Sequence, residues 1–265
     1  MQYPIYQINA FSNNPFGGNP ACVIPLISWL PEELMLSIAK QNAVAETAFF
    51  IDQGATVALR WFTPDQEIDL CGHATLATAH CLIEHLNYTR QPIHFETQSG
   101  SIYVSVKQGH YQLDLPARPG IFSSLPEAIS QALSIQPHSV YKARDYLLVY
   151  DTQDDIKDLK IDRSNFDQIN LLHGGVIVTA PGKKCDFVSR FFTPQATILE
   201  DPVTGSAHCT LVPYWAKRLN KSNLFARQCS ERGGELWCKD QGERIKVSGL
   251  ANTFSIGTFS ITQSL

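Results

Sequence analysis

Three places in this 265-residue sequence combine residue types and spacings that could do chemistry: two glycine-led helix starts and one acid in an apolar run. Gly72 follows Asp69-Leu70-Cys71 and leads into the segment from His73 to Leu86. Gly205 follows Glu200-Asp201-Pro202-Val203-Thr204 and leads into the segment from Ser206 to Leu219. An exposed helix start offers unpaired N–H donors and the positive end of the helix dipole, which favour a carboxylate or a developing oxyanion. Taken singly, each start reads as an ordinary helix cap. Two of them in one chain point instead to an anion clamp. His73 and Ser206 occupy equivalent places after the two glycines. Histidine suits proton transfer near neutral pH and serine suits hydrogen bonding, so unequal roles are expected. A solvated first-turn residue is the plainer reading of His73, and His80 and His208 read as helix packing. Asp201 is suited to pairing with a histidine or binding substrate, with a surface loop acid as the competing reading.

The acid is Glu46, in the otherwise uncharged run Ala43-Val44-Ala45-Glu46-Thr47-Ala48-Phe49-Phe50. Desolvation there would raise its pKa and make it a base effective near neutrality. An acid at the edge of a sheet is the competing reading.

These features sit in a chain that repeats itself. Arg60-Trp61-Phe62-Thr63-Pro64 recurs as Arg190-Phe191-Phe192-Thr193-Pro194, shifted by 130 positions. Gly72-His73-Ala74 recurs as Gly205-Ser206-Ala207, shifted by 133, and Ser99 to Val104 parallels Gly233 to Cys238, shifted by 134. Only one copy carries the acid, since the place of Glu46 in the second copy, 130 positions on, is Val176. Each copy predicts a strand pair, a helix and a glycine-marked hairpin. The strands are 47–51 with 57–62, and 176–180 with 187–192. The helices are 73–86 and 206–219, the second carrying Pro213, which should kink it. A further helix over 31–40 has proline in its first turn and Glu32-Glu33 where the dipole favours acids. The proline-rich stretch Pro116-Ala117-Arg118-Pro119-Gly120 marks the boundary. The expected organisation is therefore two α+β half-domains, 1–117 with Glu46 and the Gly72-His73 start, and 118–265 with Asp201 and the Gly205-Ser206 start. Each half should wrap a curved, mostly antiparallel sheet around its own helix, with substrate in the cleft between halves.

Composition narrows the function classes. The net charge is −4, from 21 basic and 25 acidic residues with no long same-sign run, which points to neither nucleic acid nor an acidic tail. No stretch reaches the roughly 20 apolar residues that span a bilayer, and the first residues lack the pattern of a signal peptide. A soluble cytoplasmic protein with a small-molecule partner is expected. The seven cysteines are scattered without a C-x-x-C pair, against both a disulfide framework and a zinc ribbon. Neither a G-x-G-x-x-G fingerprint nor a Walker loop is present, so no cofactor and no metal are expected.

The motifs together resemble the PhzF-type phenazine-biosynthesis isomerase family, within the diaminopimelate-epimerase-like fold. The resemblance covers essentially the whole chain. It is carried by Ala10-Phe11 with Phe16-Gly17-Gly18-Asn19-Pro20, by Glu46-Thr47-Ala48-Phe49, by Arg60 to Pro64, by Asp69 to Leu76 and by Glu200 to His208. It implies two domains, each a barrel-like sheet around a central helix, an active site in the cleft, and a homodimer. It also implies catalytic roles for Glu46, His73 and Asp201, with Glu46 the acid-base group, and substrate binding at Gly72, Gly205 and Ser206. The implied reaction is a cofactor-free proton shift on a small unsaturated carboxylic acid, cyclic amino acids of that kind included. Racemising relatives of the fold use two cysteines, one before each helix-leading glycine. Here Cys71 precedes Gly72 but Thr204 precedes Gly205, so the enzymatic alternative is a one-sided dehydratase or epimerase of an amino or imino acid. A silent small-molecule-binding or scaffolding protein is the non-enzymatic alternative. The segment Arg227 to Glu235 looks more like the broad branch of the family than the phenazine-making enzymes.

Overall fold

A computed structural model of the chain describes residues 1–172 and 174–261. The chain forms two compact units, and no helix of the described residues is long and apolar enough to cross a membrane.

Unit 1 runs from Met1 to Asp114 and takes in 248–261. Its elements in order are β1 (Gln2–Ala10), β2 (Asn19–Pro25), α1 (Glu32–Asn42), β3 (Glu46–Asp52), β4 (Val57–Phe62), β5 (Glu67–Ile68), α2 (Gly72–Leu86), β6 (Ile93–Thr97), β7 (Gly100–Lys107) and β8 (His110–Pro116), which ends at the junction. Unit 2 covers Leu115 to Val247. It holds β9 (Ile121–Phe122), α3 (Glu127–Ala132), β10 (Ser139–Lys142), β11 (Tyr146–Val149), α4 (Gln153–Asp158), α5 (Arg163–Phe166), β12 (Val176–Pro181), β13 (Phe187–Phe192), β14 (Glu200–Asp201), α6 (His208–Leu219), β15 (Asn223–Gln228), β16 (Gly234–Asp240) and β17 (Arg244–Gly249). The last strand, β18 (Ala251–Ser260), pairs antiparallel with β1 from Gln2↔Ser260 to Ala10↔Ala251. That pairing corrects the expected halves of 1–117 and 118–265. The first junction moves to Asp114/Leu115, and the final strand belongs with the first unit because its ladder partner is the first strand of the chain.

Within each unit the same ladder recurs. In unit 1, β2 and β3 are parallel, β3 and β4 antiparallel, β4 and β6 parallel, and β6 and β7 antiparallel. In unit 2 the same relations join β11 to β12, β12 to β13, β13 to β15, and β15 to β16. The sheets are thus mixed, with antiparallel hairpins linked by parallel crossovers, and the fold class is α+β.

Helix α2 packs against β1, β2, β3 and β18 of unit 1. Every residue from Gly72 to Leu82 is buried, the signature of a helix enclosed on all sides. Small side chains at Ala74, Ala77 and Ala79 let the strands approach. The hydroxyls of Thr75 and Thr78 donate to the carbonyls of Cys71 and Ala74, 2.5 and 2.7 Å away, so burying them leaves no unpaired donor. The expected helix 73–86 is observed from Gly72, and 31–40 from Glu32 to Asn42. The expected 206–219 starts as an α-helix only at His208, because Gly205, Ser206 and Ala207 form a tighter turn of i→i+3 bonds. Pro213 lies inside that helix, as expected.

Candidate active site

Glu46, His73, Cys71 and Asn19 converge in unit 1. Glu46 is the first residue of β3, and the chain reaches it from α1 through Ala43, which adopts the left-handed conformation and closes the helix onto the carbonyl of Ala39. The Asn42 amide then donates to Thr47 Oγ1 over 3.0 Å, tying the helix end to the strand start. Asn19 opens β2 after a tight turn that Gly18 permits. Gly18 has φ +71°, and a Cβ there would lie 2.3 Å from the carbonyl oxygen of Ala10. His73 is the second residue of α2. Cys71, its N-cap, makes no side-chain capping bond, so the helix start is not closed by its own cap.

His73 Nε2 lies 3.0 Å from Glu46 Oε2, with the imidazole 2 % exposed and the carboxylate 13 %. Neither atom has an aligned hydrogen-bond partner, so the contact is an ion pair by distance. On the other side of the ring, the Asn19 side-chain amide lies 3.0 Å from Nδ1, and Cys71 Sγ is 3.5 Å from the same nitrogen. Nε2 faces Glu46 whichever way the amide is turned.

Burial disfavours the imidazolium, but the Cys71 sulfur and the Glu46 carboxylate outweigh it and hold His73 well above its ordinary pKa. Burial, reinforced by Glu46, pushes the Cys71 thiol up to about 11 against the opposing pull of His73. The competing reading of His73 as a solvated first-turn residue gives way, since the start of its helix is buried and the ring is an internal partner of Glu46. Glu46, Cys71 and His73 are also, among the described residues, the one trio with metal-ligand atoms within 4.8 Å of one another. The sulfur and the carboxylate approach different ring nitrogens, so a single ion would have to forgo one of these contacts.

The second helix start, in unit 2, is built differently. Thr204 Oγ1 donates to Asp201 Oδ2 over 2.5 Å, and Gln228 ties the loop by accepting from the Thr204 N–H at 2.9 Å and donating to the Asp201 carbonyl at 2.7 Å. Ser206 Oγ accepts from Arg144 Nη2 at 3.2 Å. The structure thus gathers Glu46, Gly72 and His73 in unit 1, and Asp201, Gly205 and Ser206 in unit 2. Sequence reasoning passed over Asn19, Gln228 and Arg144. Asn19 and Gln228 lay inside segments already noted, whereas no local signal marked Arg144.

Strand register also corrects the counterpart of Glu46. Thr47 pairs with Phe62, and Val176 pairs with Phe192, the repeat equivalent of Phe62. Val176 therefore matches Thr47, and Gly175 matches Glu46. A Cβ on Gly175 would lie 2.3 Å from the Phe191 ring and 2.8 Å from the Phe192 carbonyl oxygen, so this position has no room for an acid.

The sequence model of a family described as "Phenazine biosynthesis-like protein" matches residues 8–257. An uncharacterized isomerase of Pseudomonas aeruginosa is 45% identical over 264 residues, covering 99% of this chain and 100% of that protein. The crystal structure of a PhzF-family phenazine biosynthesis protein from Enterococcus faecalis superposes with a TM-score of 0.92 at 43% identity, over 98% of this chain and 100% of that one. A hydroxyproline epimerase from Agrobacterium vitis, at 10% identity and a TM-score of 0.64 over 97% of this chain and 92% of that one, shares the fold alone.

Proposed function

The chain belongs to the phenazine biosynthesis-like protein family, and from that premise we propose that it is a cofactor-independent isomerase moving a proton on a small unsaturated carboxylic acid. Glu46 is the acid-base group, with His73 and Asp201 steering protons and the amides around Gly72 and Gly205, with Ser206, holding the carboxylate. The isomerase class accords with the name of the Pseudomonas relative. The observation that carries the assignment is the 3.0 Å Glu46–His73 pair at the uncapped start of α2.

Chemically, the Glu46 carboxylate takes a proton from a carbon alpha or vinylogous to the substrate carboxylate. The electron pair left behind delocalises onto the acid's oxygens, where helix-start N–H donors stabilise it. The proton returns from Glu46 to another carbon of the conjugated system, so substrate and product have the same composition. His73, with its proton on Nε2, keeps Glu46 oriented and offsets the charge that moves. Cys71 is the rival base, since it touches His73. Drawing a thiol with a pKa of about 11 into its anion at neutral pH costs on the order of 5 kcal/mol, which disfavours it.

The test is Glu46→Gln, followed by mass spectrometry of solvent-deuterium uptake into cyclic and amino-substituted unsaturated acids that the wild-type protein exchanges. Exchange is expected to fall at least about a thousandfold, the scale of losing a positioned acid-base group. Deuterium uptake at the wild-type rate would sink the assignment.

A further inference from the structure

The strand registers allow the two units to be compared position by position, and Arg144 stands out. With Gly175 matching Glu46, the parallel pairings Ala21↔Glu46 and Tyr146↔Val176 set Asp145 on Ala21 and Arg144 on Pro20. The shift of 133 sets Thr204 on Cys71 and Ser206 on His73. In unit 1 the residue after the helix-leading glycine is a histidine met by a carboxylate. In unit 2 it is a serine met by a guanidinium, at 3.2 Å. The equivalent helix residue is thus met once by a base at the start of β3 and once by a cation from the position that matches Pro20.

Arg144 is not saturated by the protein. Its Nε and Nη2 reach the buried Asp145 carboxylate only at 3.3 and 3.4 Å, while Asp145 is already anchored by the Gly175 N–H at 2.9 Å. Both N–H groups of Nη1 have no acceptor among the described residues, on a side chain 25% exposed. Arg190, in the same unit, shows what a structural arginine looks like. It forks onto Glu200 at 2.7 and 2.9 Å and spends Nη1 on the carbonyls of Ile156 and Leu159, at 3.0 and 2.9 Å. Arg144 has the opposite distribution, with long bonds behind it and open donors beside Ser206.

We propose that Arg144, together with Ser206, binds the substrate's carboxylate and sets the requirement for an anionic acid. The inference deepens the function proposed above and rests on it for the class of substrate. A planar guanidinium offers paired donors matched to a carboxylate.

The test is calorimetric binding of anthranilate and of its uncharged analogue anthranilamide to the full-length protein. Wild type is expected to prefer the acid. Arg144→Gln should weaken anthranilate about 30-fold, within the range for a hydrogen bond to a charged group, and leave anthranilamide unchanged. Arg144→Lys, which keeps the charge but loses the fork, should fall between and also serves if the glutamine variant does not fold. Equal affinity of wild type for acid and amide, no binding of the acid, or wild-type affinity in the substituted proteins overturns the proposal. The Glu46 exchange experiment would stand in that event, because it reads proton transfer and not affinity.

Discussion

Glu46 stands in an apolar strand start, yet its immediate neighbour is an imidazole held charged, and the next group beyond that ring is a thiol. The arrangement separates two candidate bases by protonation state: the carboxylate faces Nε2, while burial keeps Cys71 protonated. In unit 2, Thr204 stands where Cys71 stands in unit 1, and its hydroxyl is committed to Asp201. The unit 1 start thus holds a protonated thiol and the unit 2 start a hydroxyl already spent on Asp201. Cys71→Ser is therefore expected to keep turnover within about threefold of wild type, the scale of losing one weak contact to His73. A collapse of turnover in a serine variant that melts like wild type would instead make the thiol the working base.

Among the elements, the two helix starts are held by the same device. Arg60 Nε and Nη2 reach Glu67 at 2.7 and 2.5 Å, as Arg190 does Glu200, and each guanidinium also lies over the phenylalanine two residues on. The fork pins β4 to β5 and β13 to β14 five residues before Gly72 and Gly205, so the recurring Arg-aromatic-Phe-Thr-Pro motif fixes the strand from which each glycine-led turn departs. Glu67 and Glu200 differ by 133 while Pro64 and Pro194 differ by 130, which places the three extra residues in the loop before β14. Gly175 marks where the copies diverge. Gly175→Ala is expected to destabilise the protein by about 1–3 kcal/mol through overpacking against Phe191 and the Phe192 carbonyl, measured by urea unfolding. An alanine variant as stable as wild type would show that this position can open and weaken the account of why unit 2 carries no acid there.

For the molecule as a whole, buried histidines govern how stability responds to pH, with opposite signs. Burial lowers His80 and His208 to about 4, and the His208 ring donates from Nδ1 to the Thr204 carbonyl at 2.9 Å. Below about pH 6.5 the unfolded chain takes up protons at these sites while the native protein does not, so their stabilisation, complete above that pH, is lost as pH falls toward 4. His73 behaves oppositely. Its raised native pKa makes its contribution complete below about pH 6.5 and loses it as pH rises through that higher value. His208→Asn, which keeps an N–H donor for Thr204, should lose less stability than wild type between pH 6.5 and 4.5 in urea titrations. Parallel wild-type and variant curves would remove His208 from the acid response.

The repeat, the principal strands and helices, the two glycine-led starts and the candidate acid are legible in the chain's residues, because they rest on local glycines, apolar periodicity and motifs a few residues long. Pairings across long separations came only with the folded structure. Asn19 meets His73 from 54 positions away, and β18 returns to β1 to complete unit 1. A one-residue difference in strand register put Gly175, not Val176, at the place of Glu46. Exposure was decided the same way, since a helix start reads as solvated until the strands around α2 enclose it and leave His73 facing Glu46. Ladder hydrogen bonds and enclosure depend on which segments meet, and no short window of sequence contains both partners.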